Sequence, residues 1–99
     1  MIRFVRTASI APGKFGDAIT FAKQVSAFIE KKAGIPLEVM LPVAANPHRI
    51  AWRSEYPNLA IMEEANSKLM GDPKYLELLS KGKDLFIAGS LNDALWRTV

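Results

Sequence analysis

The chain has 99 residues, 49% of them apolar and 23% charged, the composition of one globular domain (residues 1–99) rather than of a disordered tail, a collagen-like repeat or a membrane span. It has no cysteine, so disulfides, thiolate nucleophiles and cysteine metal sites are excluded. The net charge of +3 comes from lysines set among acids, as in Glu30-Lys31-Lys32 and Lys83-Asp84, which is the pattern of a solvated surface and not of a nucleic-acid face.

Residues Ile2 to Ala11 alternate. Ile2, Phe4, Ala8 and Ile10 share one parity with Arg6, while Arg3, Val5, Thr7 and Ser9 take the other, which predicts a strand. Pro12-Gly13 breaks it, because Pro12 offers no N–H to a ladder and Gly13 permits a sharp turn. Lys14 to Ala33 predicts a helix in which Phe15, Ala18, Phe21, Ala22, Val25, Phe28 and Ile29 form one broad stripe. Gly34 stands where a left-handed cap closes a helix, and Pro36 prevents continuation. A single stripe of this kind must lie on a sheet or another helix.

Leu37 to Ala44 predicts the second strand, with Pro42 demanding an edge position or a bulge. Ala45-Asn46-Pro47 reads as a turn and His48 to Tyr56 as the third strand, so the two form a hairpin. One parity of the third strand carries His48, Ile50, Trp52 and Ser54, and the other Arg49, Ala51, Arg53 and Glu55. Pro57-Asn58 opens a second helix to about Met70, with Ile61, Met62, Ala65 and Leu69 on one face. Asp72-Pro73 is a start signal for a short third helix that turns Tyr75, Leu76 and Leu79 inward and ends near Gly82. Gly89-Ser90 leads into a last strand, Leu91 to Val99, with Leu91, Asp93, Leu95 and Arg97 on one face and Ala94 and Trp96 on the other.

The order β-α-β-β-α-α-β predicts an α+β, ferredoxin-like fold, a split βαβ repeat with a four-stranded antiparallel sheet and helices on one face. Right-handed crossovers give the strand order 4-1-3-2 and put the second strand at an edge, where Pro42 is tolerated. Apolar residues occur on both parities of several strands: Trp52 against Ala51, Leu95 against Trp96, Phe4 against Val5. The uncovered face is therefore expected to meet a second copy in a two-fold homodimer.

Several runs carry a resemblance. Pro12-Gly13-Lys14 leading into a Phe/Ala-rich helix, Trp52-Arg53-Ser54-Glu55-Tyr56, Gly71-Asp72-Pro73-Lys74-Tyr75 and Phe86 through Arg97 together resemble the dimeric α/β-barrel superfamily. The nearest likeness is to its NIPSNAP-like members and to small uncharacterised bacterial relatives. The resemblance implies that two ferredoxin-like protomers close a barrel whose cavity takes a small apolar or aromatic ligand. It spans monooxygenases, isomerases, dehydratases, haem enzymes and proteins without an assigned activity, so it does not settle function. Haem-binding relatives hold iron through a histidine in the second helical region, and residues 58–86 contain none here.

The chemistry-bearing residues are few. His48, the only histidine, follows Pro47 in a turn and has no second ligand beside it, which suits a turn or interface role and no metal site. Trp52 and Trp96 either line an aromatic pocket or pack against a helix or a partner subunit. Arg6, Arg53 and Arg97 fall on three strands. Arg6 and Arg53 are neighbours if the first and third strands pair, and such arginines either meet Glu55 or Asp93 or hold a ligand carboxylate. Glu38, Glu55 and Asp93 form no paired spacing for acid–base work. Gly13 and Gly16 lack the rest of a phosphate loop, so no cofactor is expected. The candidate ligand-binding set is Arg6, Trp52, Arg53, Glu55, Tyr56 and Trp96, with no catalytic residue assigned. No apolar run reaches the roughly 18 residues of a bilayer helix, and the N-terminal residues lack a signal-peptide layout, which points to the cytoplasm.

Two functions fit. One is a cofactor-independent monooxygenase or isomerase acting on a small aromatic or polyketide-like compound in the barrel cavity. The other is a non-catalytic, stress-type homodimer that binds a small ligand or a partner. A cavity on which Arg53, Glu55 and Tyr56 converge would favour the first, and one filled by side chains the second.

Overall fold

The computed structural model describes residues 1–99. The elements run β1 (Ile2–Ser9), α1 (Phe15–Ala33), β2 (Glu38–Met40), β3 (Arg49–Tyr56), α2 (Leu59–Met70), α3 (Pro73–Ser80) and β4 (Asn92–Arg97). The four strands form one antiparallel sheet in the order β2-β3-β1-β4, the expected order read from its other edge. The fold is α+β and ferredoxin-like.

Local chemistry sets the helix ends. Gly34 closes α1 at φ 69°, where a side chain would be strained, and its N–H donates to the Glu30 carbonyl at 2.9 Å. Asn58 caps α2 by accepting the Ile61 N–H at 2.9 Å. Asp72 caps α3 by accepting the Lys74 N–H at 2.9 Å, with Pro73 at the first helical position.

Several strands are shorter than their sequence pattern. Leu37–Ala44 yields only Glu38–Met40, because Leu41 precedes a proline and Pro42 has no N–H to extend the ladder. Residues 41–48 form a longer connection in place of a tight hairpin turn, and β3 begins at Arg49 rather than at His48. The first strand ends at Ser9, and Ile10 continues as an isolated bridge to Phe86. The last strand starts and stops one or two residues inside its predicted span.

One face of the sheet carries the helices. Ile2, Ala8, Ile50, Trp52, Ser54 and Tyr56 are buried there. Ala18 and Ala22 of α1 let that helix approach closely, and they pack with Ala8, Ile10, Ile50 and Trp52 into the main core cluster. α1 lies against β2, and α2 against β3. Leu76 of α3 and Ile61 of α2, both expected inward, are exposed instead. Gly82 is buried beneath Phe21: a Cβ there would fall 2.3 Å from the ring, so only glycine allows this approach. The core is thin, with 14 of 99 residues buried, and this leaves space between sheet and helices.

The other face is more polar than the sequence pattern suggests. The register sends Ile50, Trp52, Phe4 and Leu95 to the helix side and leaves Arg3, Thr7, Arg49, Arg53 and Glu55 opposite. Arg53 is bonded to Glu38 and Glu55, Arg3 lies 3.4 Å from Glu55, and Arg49 donates to Thr7. Trp96 stands among them, 65% exposed. No helix is long and apolar enough to cross a membrane.

Candidate functional site

Between the sheet and the helices lies a cavity of about 990 Å³. It exists because α1 and α2 cover β2 and β3, while Phe4 and Arg6 of β1 and Asp93 and Leu95 of β4 face the space beside them. Of its 24 lining residues, 17 are hydrophobic, so the walls suit an apolar ligand and the few polar groups must determine its orientation. Phe21, Trp52 and Phe86 make an aromatic wall. The Trp52 and Phe86 rings meet edge to face at 5.6 Å, and Phe21 and Phe86 lie 6.0 Å apart. Met70, Ile87, Leu91 and Leu95 are exposed lining residues at the rim.

The polar wall is built from β1, β4 and α3. Arg6 and Asp93 are register partners across β1 and β4. The Arg6 guanidinium donates to both carboxylate oxygens of Asp93, from Nε at 2.7 Å and from Nη2 at 2.9 Å. This fork-on-carboxylate pairing raises the Arg6 pKa against the opposing effect of burial, and lowers that of Asp93. Arg6 also sits 5.5 Å from the centre of the Phe4 ring. Tyr75 projects from α3 against Phe28 at 5.6 Å, and burial raises the pKa of its hydroxyl although the charge of Arg6 pulls the other way. The wall therefore holds fixed states at neutral pH: a cationic Arg6, an anionic Asp93 and a neutral, donating Tyr75.

The structure divides the six sequence-derived site residues between the faces. Arg6, Trp52 and Tyr56 line the cavity. Arg53, Glu55 and Trp96 lie on the opposite face, where Arg53 is held by Glu38 and Glu55. Arg53, Glu55 and Tyr56 therefore do not converge, because neighbours in a strand point to opposite faces. Arg6 and Arg53 are not neighbours either, since Arg6 stands opposite Trp52 and Arg53 opposite Val5. The expected pairing with acids does occur, Arg6 with Asp93 and Arg53 with Glu55. His48 is exposed and acts through its backbone: its N–H donates to Asn46 Oδ1 at 2.9 Å and its carbonyl accepts the Ile10 N–H at 2.7 Å. Groups of three or more His, Asp or Glu able to hold a metal ion are absent.

The sequence reading missed Tyr75 and Ser54 as lining residues. A signal for Ser54 was present, since a serine interrupts the otherwise large residues at alternate positions from Ile50 to Tyr56. Tyr75 gave none, because an inward tyrosine on a short helix reads as core.

Solved structures of similar shape place this architecture. A NIPSNAP domain protein from Burkholderia xenovorans, itself uncharacterised, superposes with a TM-score of 0.85 at 12% identity, over 100% of this chain and 95% of its own. A NIPSNAP family protein of unknown function from Agrobacterium tumefaciens gives 0.81 at 17% identity, over 97% and 86%. The fold is NIPSNAP-like. SnoaB, a cofactor-independent oxygenase from Streptomyces nogalater, shares it with a TM-score of 0.73 at 10% identity, over 98% and 91%. The NIPSNAP-like likeness is one of architecture, and the resemblance drawn from the sequence motifs agrees with it. No protein-family model and no curated protein matches the chain.

Proposed function

We propose that this protein binds a small, flat aromatic or polyketide-like compound in the cavity between sheet and helices, and acts on it without a cofactor as a monooxygenase or isomerase. The supporting observation is an open, mainly apolar space of about 990 Å³ with a guanidinium–carboxylate pair set into one wall. A polycyclic ring system fits the aromatic wall. Arg6 has five N–H donors, of which Asp93 takes one from Nε and one from Nη2, which leaves three free to donate to a ligand oxygen. A fixed cation favours ionisation of a phenolic or enolic hydroxyl, and the resulting anion is the electron donor that oxygenation without a cofactor requires. A phenol and one dioxygen then give a quinone and one water, with the substrate as reductant. The description of SnoaB as a cofactor-independent oxygenase on the same architecture supports this chemistry.

The fixed charge states along the polar wall favour a second reading, a binding protein without turnover. In either reading the open sheet face, with Trp96 standing from it, is where a second copy docks.

Titration with anthrone and 1-naphthol in chelator-treated buffer tests the proposal, read by tryptophan fluorescence and an oxygen electrode. Saturable quenching with one dioxygen consumed per molecule converted is expected, and Arg6→Lys, which loses the fork, lowers turnover about tenfold. Binding without oxygen uptake or isomerised product leaves the second reading, and no binding overturns both.

A further inference from the structure

Two exposed apolar features stand at opposite edges of the sheet and at the same end of it. The first is the loop after β2. Leu41-Pro42-Val43-Ala44-Ala45 is a run of five apolar residues in which Leu41 is 43% exposed and Val43 fully so. No backbone group of this run is hydrogen-bonded within the protomer. Connecting loops are ordinarily built from polar residues and glycine, and an exposed apolar run of this length points to a function. The second feature is the rim of the cavity beside β4, where Ile87, Leu91 and Leu95 are each about half exposed. Three strand spacings, about 14 Å, separate the two, so neither covers the other within one protomer.

The register relates them. Ala8 pairs with Ile50, and one step beyond the other two ladders the same row ends in Leu41 at the β2 edge and Leu91 at the β4 edge. Two sheets that meet face to face about a two-fold axis parallel to the strands keep each row at its own level and set β2 over the partner's β4. Leu41 of each copy then stands beside Leu91 of the partner subunit. On the facing surfaces the same operation sets Arg3 opposite the partner's Glu55, and Trp96 opposite the partner's Pro36 just before β2. An axis perpendicular to the strands sets β2 over β2 and leaves both apolar features in water. Facing sheets are about 10 Å apart and the four residues from Leu41 to Ala44 can span about 13 Å, so the tip of the loop passes the partner's β4 edge. We propose that Leu41–Ala45 is an arm that crosses to a second copy of this chain and packs on Ile87, Leu91 and Leu95 of the partner subunit, so that the mouth of each cavity is completed by the other protomer. This inference rests on the sheet-to-sheet docking stated above. The sheet faces supply the association, and the arm fixes its orientation and narrows the cavity entrance.

The natural chain has no cysteine, so introduced pairs report without background. Val43→Cys combined with Leu91→Cys should join two chains through a short bis-maleimide, seen as a species of twice the chain mass on a denaturing gel. Neither substitution alone should do so. Val43→Cys combined with Pro36→Cys should not do so either, because those positions meet only about the perpendicular axis. All three positions are exposed, so the substitutions leave the core intact. Independently, Leu41→Asp with Val43→Asp should raise the dimer dissociation constant about tenfold while the far-ultraviolet circular dichroism stays that of wild type, because it places charge on an apolar contact. A wild-type dimer in which the Val43–Leu91 pair does not link, or in which the Val43–Pro36 pair links instead, overturns the arm and leaves the sheet-to-sheet dimer standing. A dissociation constant unchanged by the two aspartates overturns the arm as well. A wild-type chain that scatters light as a single copy overturns the docking and the arm with it.

Discussion

At the scale of residues, the Arg6–Asp93 pair is the most informative contact. It joins adjacent strands, forms one wall of the cavity and holds both groups charged. The Asp93 pKa is depressed by the hydrogen bond from Arg6. A carboxylate lowered in the folded state stabilises the fold fully above its unfolded pKa of about 3.9, and that contribution disappears as pH falls through the folded value. Asp93→Asn should therefore lose less stability than wild type between pH 5 and pH 2, while being the less stable of the two at pH 7. Urea midpoints of both chains across that range check it, and parallel curves would mean that the pair does not couple to folding. The sequence had named Asp93 and Glu55 as the two acids that the arginines would meet. It could not assign the face on which each pair lies, because that depends on register.

The elements follow rules that are largely local. Caps, proline positions and the apolar stripe of α1 are readable within a few residues of each helix end, and the structure has all three helices where those signals stand. The Asn58 side chain satisfies an N–H at the start of α2 that has no partner inside the helix. Asn58→Ala should cost about 1 kcal/mol and Asn58→Gly only a few tenths. Thermal melts would show the alanine chain about 4 to 8 °C below wild type, and an alanine chain that melts with wild type would mean that the cap contributes nothing. The strands were less legible than the helices. Alternation continues through residues 41–44, yet a ladder needs N–H donors and a partner on the neighbouring strand, and Pro42 removes the first.

For the whole molecule, the two tryptophans separate the two faces. Trp52 belongs to the core between sheet and helices, and Trp96 stands out from the uncovered face. In the proposed homodimer, Trp52→Ala should cost about 3 to 5 kcal/mol and lower the denaturant midpoint similarly at every protein concentration. Trp96→Ala should leave the protomer folded and weaken only the association, so its effect shrinks as concentration rises. Light scattering completes the test: wild type should have twice the 10.9 kDa chain mass at micromolar concentration, and Trp96→Ala should approach the single-chain value. A wild-type mass of one chain would end the dimer proposal.

The sequence by itself determined the α+β class, the order of the elements, the strand order and the helix ends. These depend on periodicity, on glycine and proline, and on the handedness of crossovers, all of which are written locally. Only the tertiary structure decided where the cavity lies and what lines it. Parity separates Arg53 and Glu55 from Trp52 and Tyr56 but does not say which set the helices cover. That choice came from the packing of α1 through Ala18 and Ala22 onto Ala8, Ile50 and Trp52. It put the guanidinium of Arg6, rather than that of Arg53, against the cavity, and it buried the indole N–H of Trp52 and the hydroxyl of Ser54 without a partner.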